Sequence, residues 1–180
     1  MKNWITQIDE TTTAFQASFD TLTEEQLNWK PNPETWSIAQ NIDHLITINQ
    51  TYFPILAALK TGKYQPHLLA KIGFLTSFFG KMLLNAVKPT TKKKIKTFPI
   101  WEPVTSQISG DILARFAKHQ AQLKQEITTA KEFVEKGTVI SSPANKYIVY
   151  KLATAFDIIV MHEQRHLEQA KALLLKLKKA

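Results

Sequence analysis

The sequence predicts an all-α fold: a four-helix bundle with an apolar helical insertion between its second and third helices. Three observations lead there. Apolar residues recur at helical spacing along four long segments. Capping residues, prolines and glycines punctuate those segments at their ends. No stretch shows the convincing alternation of a half-buried strand, so an up-down bundle is the simplest architecture. A chain of 180 residues is the right size for one domain around one core, and residues 1–180 are read as one unit. Its 44% hydrophobic and 21% charged content is ordinary for a soluble globular protein.

The first helix is expected over residues 3–20, with Trp4, Ile8, Phe15 and Phe19 on one face. Thr23 and Gln26 then have the spacing of a capping box for one short turn, and Pro31 and Pro33 impose an extended loop. The second helix starts after Ser37, paired with Gln40 in a second capping box, and carries Ile38, Ile42, Leu45, Ile48, Tyr52 and Leu56 inward. Pro54 should kink it and Gly62 should end it.

Residues 66–87 read as the apolar insertion, broken near Gly73 or Gly80. Phe74, Leu75, Phe78, Phe79, Met82 and Leu83 give it the means to pack on the core, to cover a pocket or to meet a second subunit. Its lysines and glycines leave it short of a membrane-spanning run. Residues 88–103 read as an irregular connection. The third helix is expected over 106–136, ending at Gly137, with Ile112, Phe116, His119, Leu123, Glu126 and Ile127 along one side. The fourth is expected over 146–176, after a loop with Pro143. Its inward series is Ile148, Leu152, Ala155, Ile159, His162, His166, Gln169 and Leu173, alternating steps of four and three.

Composition removes several chemistries. Without cysteine there are no disulfides, zinc–thiolate or iron–sulfur sites and no thiol nucleophile, so any metal falls to His, Asp or Glu. The N-terminus shows no apolar leader, which makes the cytoplasm the expected location. The formal charge of +8 and pI of about 9.6 favour anionic partners in general. The charge is lysine, densest at Lys92–Lys96 and Lys176–Lys179, with Arg115 and Arg165 the two arginines. Lysine reads bases and phosphates poorly, so nucleic acid is not the expected partner.

The chemistry concentrates in histidines. His162 and His166 stand four apart, placing both imidazoles on one helix face, one turn apart. Two rings in a core seam carry a desolvation cost that a shared metal ion relieves by taking one nitrogen from each. His44, two turns after the Ser37 cap, is the best third ligand. Three neutral imidazoles suit zinc, nickel or iron(II), and three protein ligands leave coordination positions open. Gln40, Asn41, Glu163 and Gln169 are the polar groups expected around them. His119 could add to that shell, and His67 lies near a loop with no evident role. His162-Glu163-Gln164-Arg165-His166 also satisfies the H-E-x-x-H pattern of zinc proteases. It lacks that class's downstream third ligand and any strand to hold a peptide, and Glu163 lies about 100° round the helix from His162.

Leu22–Pro31, the run from Thr35 through Trp36, Ser37 and His44 to Leu45, and the closing His162-x-x-Arg165-His166-Leu167-x-Gln169 together resemble the DinB-like (DinB/YfiT) superfamily over nearly the whole chain. The resemblance implies a four-helix bundle with two crossover-type connections, often a homodimer, and a three-histidine site for zinc or nickel. Carried over by motif, the ligands are again His44, His162 and His166. It further implies a metal-dependent hydrolase, or a thiol S-transferase using a low-molecular-weight thiol such as bacillithiol or mycothiol, acting on a small molecule. The alternative is a bundle that binds a metal or small ligand without turnover.

Overall fold

The computed structural model describes residues 3–90 and 97–179, so the Lys92–Lys96 run lies outside the described residues. Four long helices form the bundle: α1 (Trp4–Phe19), α3 (Ile38–Gln50), α6 (Ile112–Thr129) and α8 (Leu152–Leu177). Between them stand α2 (Glu24–Asn28), α4 (Phe53–Lys60), α5 (Gly73–Val87), α7 (Lys131–Glu135), and 3-10 turns at Leu68–Lys71 and Pro99–Trp101. A hairpin of β1 (Val139–Ser142) and β2 (Asn145–Lys151) precedes α8.

Both expected capping boxes form: Thr23 with Gln26, and Ser37 with Gln40. Each satisfies two amides at its helix start, so the entry to α3 is fixed locally. Pro54 does more than kink the second helix. The chain leaves α3 at Gln50 and re-enters as α4 with Pro54 in the first turn, where a missing N–H costs nothing. Gly62 follows α4 with φ of 68°, a left-handed stop that suits glycine.

Two expectations need correction. The loop and first turn predicted around residues 139–151 are an antiparallel hairpin, pairing Ile140 with Tyr150 and Ser141 with Val149. Its β-branched and aromatic residues favour a pleated surface, and Ile148 belongs to β2 rather than to the helical seam. The third helix starts at Ile112 rather than 106 and breaks at Ala130 before α7. The insertion does break next to Gly73, at Ile72, while Gly80 lies inside an unbroken α5. A Cβ at Gly80 would meet Thr154 Cγ2 at 3.2 Å, so glycine there permits close packing rather than a stop.

The core is two apolar clusters. One gathers Trp4, Ile8, Tyr52, Leu56, Leu123, Tyr150, Phe156 and Val160. The other gathers Phe15, Phe19, Ile42, Ile46, Phe116 and Leu167. Following each helix from one cluster to the other gives its direction: α1 and α8 run one way, α3 and α6 the other. In space α1 packs against α6 and α8, and α3 against α6 and α8. The order is therefore up-down-down-up rather than simple up-down. Residues 61–111 supply the length to return the chain so that α3 and α6 run parallel, and the apolar insertion is part of that crossover. Buried Thr11, Asn49, Gln120 and Glu163, one on each bundle helix, fall between the two clusters as a polar layer.

Candidate metal centre

α3 is the helix that most constrains the site. From Ile38 to Ile46 every residue is buried, including Gln40, Asn41, Asp43 and His44. The irregular connection before α6 causes this by lying over the start of α3, held by side chains. The Asn28 amide donates to the Ile108 carbonyl at 2.7 Å and accepts from its N–H at 2.9 Å. Gln40 Nε2 donates to the Val104 carbonyl at 2.9 Å. Asp43 meets Arg115 at 3.5 Å.

His44, His162 and His166 come together there, each offering a ring nitrogen, and those atoms all lie within 4.8 Å of one another. His44 Nδ1 lies 2.6 Å from the Trp101 carbonyl. A carbonyl only accepts, so Nδ1 carries the proton and Nε2 keeps its lone pair. His166 Nδ1 lies 2.7 Å from Asn41 Oδ1, while Asn41 Nδ2 donates to the Ser37 carbonyl at 2.8 Å. The amide is thus oriented with its oxygen toward the ring, and His166 too presents a bare Nε2. His162 Nε2 stands 3.1 Å from His166 Nε2. Either His162 donates a proton to it, or both lone pairs face one cation. Zinc–nitrogen bonds of about 2.0–2.1 Å put tetrahedral ligands about 3.3 Å apart, close to this separation.

Burial is the leading cause that lowers the pKa of all three rings, His162 and His166 well below the usual histidine value. Mutual repulsion and the Arg165 charge push His162 and His166 further down. The three rings are therefore neutral near pH 7, as a metal ligand must be. A donor set of three neutral imidazoles, two with the remote nitrogen anchored, fits a borderline divalent cation. His44 and His166 are buried, and His162 is partly buried. Trp36 stacks on His166 at 6.0 Å and tilts against His44 at 4.9 Å, walling one side.

The other expected site residues divide. Asn41 contacts the centre directly. Gln40 is spent on the α3 cap and Val104. Gln169 is exposed, because burial on α8 passes from His166 and Leu167 to Ala170 and Leu173. That is the drift of a helix at 3.6 residues per turn away from the expected 3.5-residue seam. Glu163 faces neither solvent nor the rings. It is fully buried, and its two oxygens accept from Asn49 Nδ2 at 2.7 Å and Gln120 Nε2 at 2.9 Å. Burial pushes its pKa up to about 7 despite those bonds. The H-E-x-x-H reading fails here, since the carboxylate points away from the histidines. His119 stacks on Phe53 at 5.5 Å, buried with both nitrogens unpartnered, and burial lowers its pKa to about 4. His67 lies beside Tyr147 and accepts from the Leu69 N–H.

The insertion does not lie over the rings. Leu83, Leu84 and Val87 pack on the cluster at the hairpin end, and α5 reaches the histidine turn through the Ala86 carbonyl, which accepts from Arg165 at 2.5 Å. Trp36, Trp101, Asn49 and Gln120 were missed as site residues. Trp36 sat within the recognised motif, but nothing in spacing marks a backbone carbonyl at 101 or two amides on other helices.

Comparisons with curated proteins and with solved structures found no match. A family model described as the DinB superfamily matches residues 7–170, so the chain belongs to the DinB superfamily.

Proposed function

We propose that this protein is a metal-dependent enzyme in which His44, His162 and His166 hold one divalent cation, zinc or nickel, with iron(II) also compatible. The reaction is hydrolysis of a small molecule or transfer of a low-molecular-weight thiol to one. The observation that carries this reading is the convergence of three neutral imidazoles, two of them locked by Trp101 and Asn41 with Nε2 directed inward. A cation there supplies Lewis acidity, which acidifies a water or thiol and polarises an electrophile.

The chain's own residues prepare that chemistry. The Trp101 carbonyl and Asn41 amide keep two rings in one tautomer and one orientation, so little reorganisation accompanies binding. Trp36 excludes water from one side of the rings. His162 is the least buried of the three ligands, which favours its side for substrate approach. Arg165, bonded to Ala86, places a fixed positive charge near His162 and His166, which suits an anionic thiolate or a developing oxyanion.

Metal analysis of tag-free protein tests this. Wild type should carry one equivalent of zinc or nickel, or take it up on titration, with a rise in Tm; His162→Ala should not. A wild type that neither carries nor binds a divalent cation overturns the proposal. The second reading is a bundle that holds its ligand without turnover, favoured by the burial of His44 and His166. A loaded protein inert toward both ester or amide substrates and thiol-plus-electrophile pairs would select it.

A further inference from the structure

From His44 to Trp101 the chain has no acidic residue and nine lysines. The whole chain holds 23 basic and 15 acidic side chains, so this stretch accounts for the entire positive excess and the remainder is near neutral. Within it, Lys60 is paired with Glu126. Lys63, Lys71, Lys81 and Lys88 are exposed, and among the described residues no carboxylate pairs with them.

The same stretch carries an outward apolar face. On α5, Phe74 is 74% exposed, Phe78 51% and Met82 41%, at successive four-residue steps along one side. Leu68 and Ile72, just before the helix, are 73% and 47% exposed. The opposite side is fixed: Thr76 and Gly80 are buried, and Leu83, Leu84 and Val87 pack on the core. Gly80 allows α5 to lie against Thr154, so the helix cannot roll its aromatic side inward without losing that contact. A contiguous apolar face of this kind on a folded protein marks an interaction site.

What covers it has to accept aromatic and aliphatic side chains and to offset the exposed lysines of the same segment. A second copy meeting the same face would bring the same unpaired lysines into register, which opposes a self-complementary contact. A nucleic acid offers phosphate but no continuous apolar surface. An anionic bilayer offers both, acyl chains beneath acidic headgroups, and a helix with an apolar face and flanking lysines lies in that interface. No helix among the described residues is long and apolar enough to cross a membrane, so contact is with one leaflet.

We propose that the α5 face, with Phe74, Phe78 and Met82 inserted and Lys71, Lys81 and Lys88 at the headgroups, docks this protein on an anionic lipid surface. The full-length protein is floated with phosphatidylcholine vesicles, with or without phosphatidylglycerol. Wild type should float with the anionic vesicles, less so as salt rises. The Phe74→Ser/Phe78→Ser/Met82→Gln variant and the Lys71→Glu/Lys81→Glu variant should each bind roughly tenfold or more weakly. All these positions are exposed, so both variants should keep the wild-type Tm, and a variant that unfolds is replaced by Phe74→Ser alone. No flotation of wild type, or flotation indifferent to both variants, overturns the proposal. So does a wild-type dimer that Phe74→Ser converts to monomer, because a second copy would then be the occupant.

Discussion

Two buried polar clusters meet on adjacent residues of α8 and are built to opposite ends. His162 and His166 face His44 and Asn41 on α3; the Trp101 carbonyl accepts from His44 Nδ1 and the Asn41 amide oxygen from His166 Nδ1, which leaves both Nε2 lone pairs directed at a shared point. Glu163, one residue after His162, faces Asn49 and Gln120, which occupy both its oxygens. The first cluster keeps two acceptors aimed at a shared point, whereas in the second both carboxylate oxygens are taken and Gln120 Oε1 alone is left without a partner. Converging free acceptors bind a ligand; a carboxylate bonded on both oxygens across helices joins those helices instead. Helical geometry sets the contrast, since about 100° separates consecutive residues.

The largest expected effect falls on the Glu163 cluster. Glu163→Ala orphans two buried amide donors, each costing about 1–3 kcal/mol, so a loss of roughly 2–6 kcal/mol is expected in urea unfolding. His162→Ala, at a position that is not fully buried, orphans no amide donor and should cost less in metal-free protein. Equal losses would erase the distinction drawn between the two.

Next is His119, beside Gln120 on α6. Its pKa is about 4 in the folded protein against 6.5 unfolded. Below pH 6.5 the unfolded chain takes a proton that the folded one refuses. The stability this group confers is therefore complete above pH 6.5 and lost as pH falls toward 4, by up to about 3 kcal/mol. His119→Leu should unfold less readily than wild type in acid, with the gap closing toward pH 7. Glu163 works in the reverse sense. Its pKa of about 7 lies above the 4.5 of an exposed glutamate, so its contribution falls as pH rises from 4.5 to 7. A His119→Leu variant that loses more stability than wild type in acid would contradict the assignment of a neutral buried ring.

Asn41→Ala should weaken cation binding about 10- to 100-fold, read by competition with a chelator, because His166 loses the acceptor that orients it. Unchanged affinity would mean the Asn41–His166 bond plays no part in the centre. The smallest effect is Ser37→Ala, about 1 kcal/mol from the α3 cap. If it also shifts cation affinity, the cap and the centre are coupled through the Ser37–Asn41 contact.

Much of this was legible from local pattern. Both capping boxes, the α1 face and the stop at Gly62 follow from interactions within four residues. So did the three histidines, because residue type and i, i+4 spacing place His162 and His166 together and the Ser37 cap sets the phase of His44. The hairpin was not legible: Val139–Ser142 and Asn145–Lys151 are short, and Ile148 fits a helical series as well as a strand. Nor was Glu163's burial, since its partners stand 114 and 43 residues away.

The sequence by itself determined the starts of α2 and α3, the stop after α4 and which side chains are able to ligate a metal, because those depend on neighbours a turn away. Only the tertiary structure decided the up-down-down-up order and the Trp101 carbonyl that sets the His44 tautomer. It alone also decided which of two adjacent α8 residues keeps free valence. These depend on groups brought together by packing, and a contact between residues 57 or 125 apart leaves no periodicity along the chain to read.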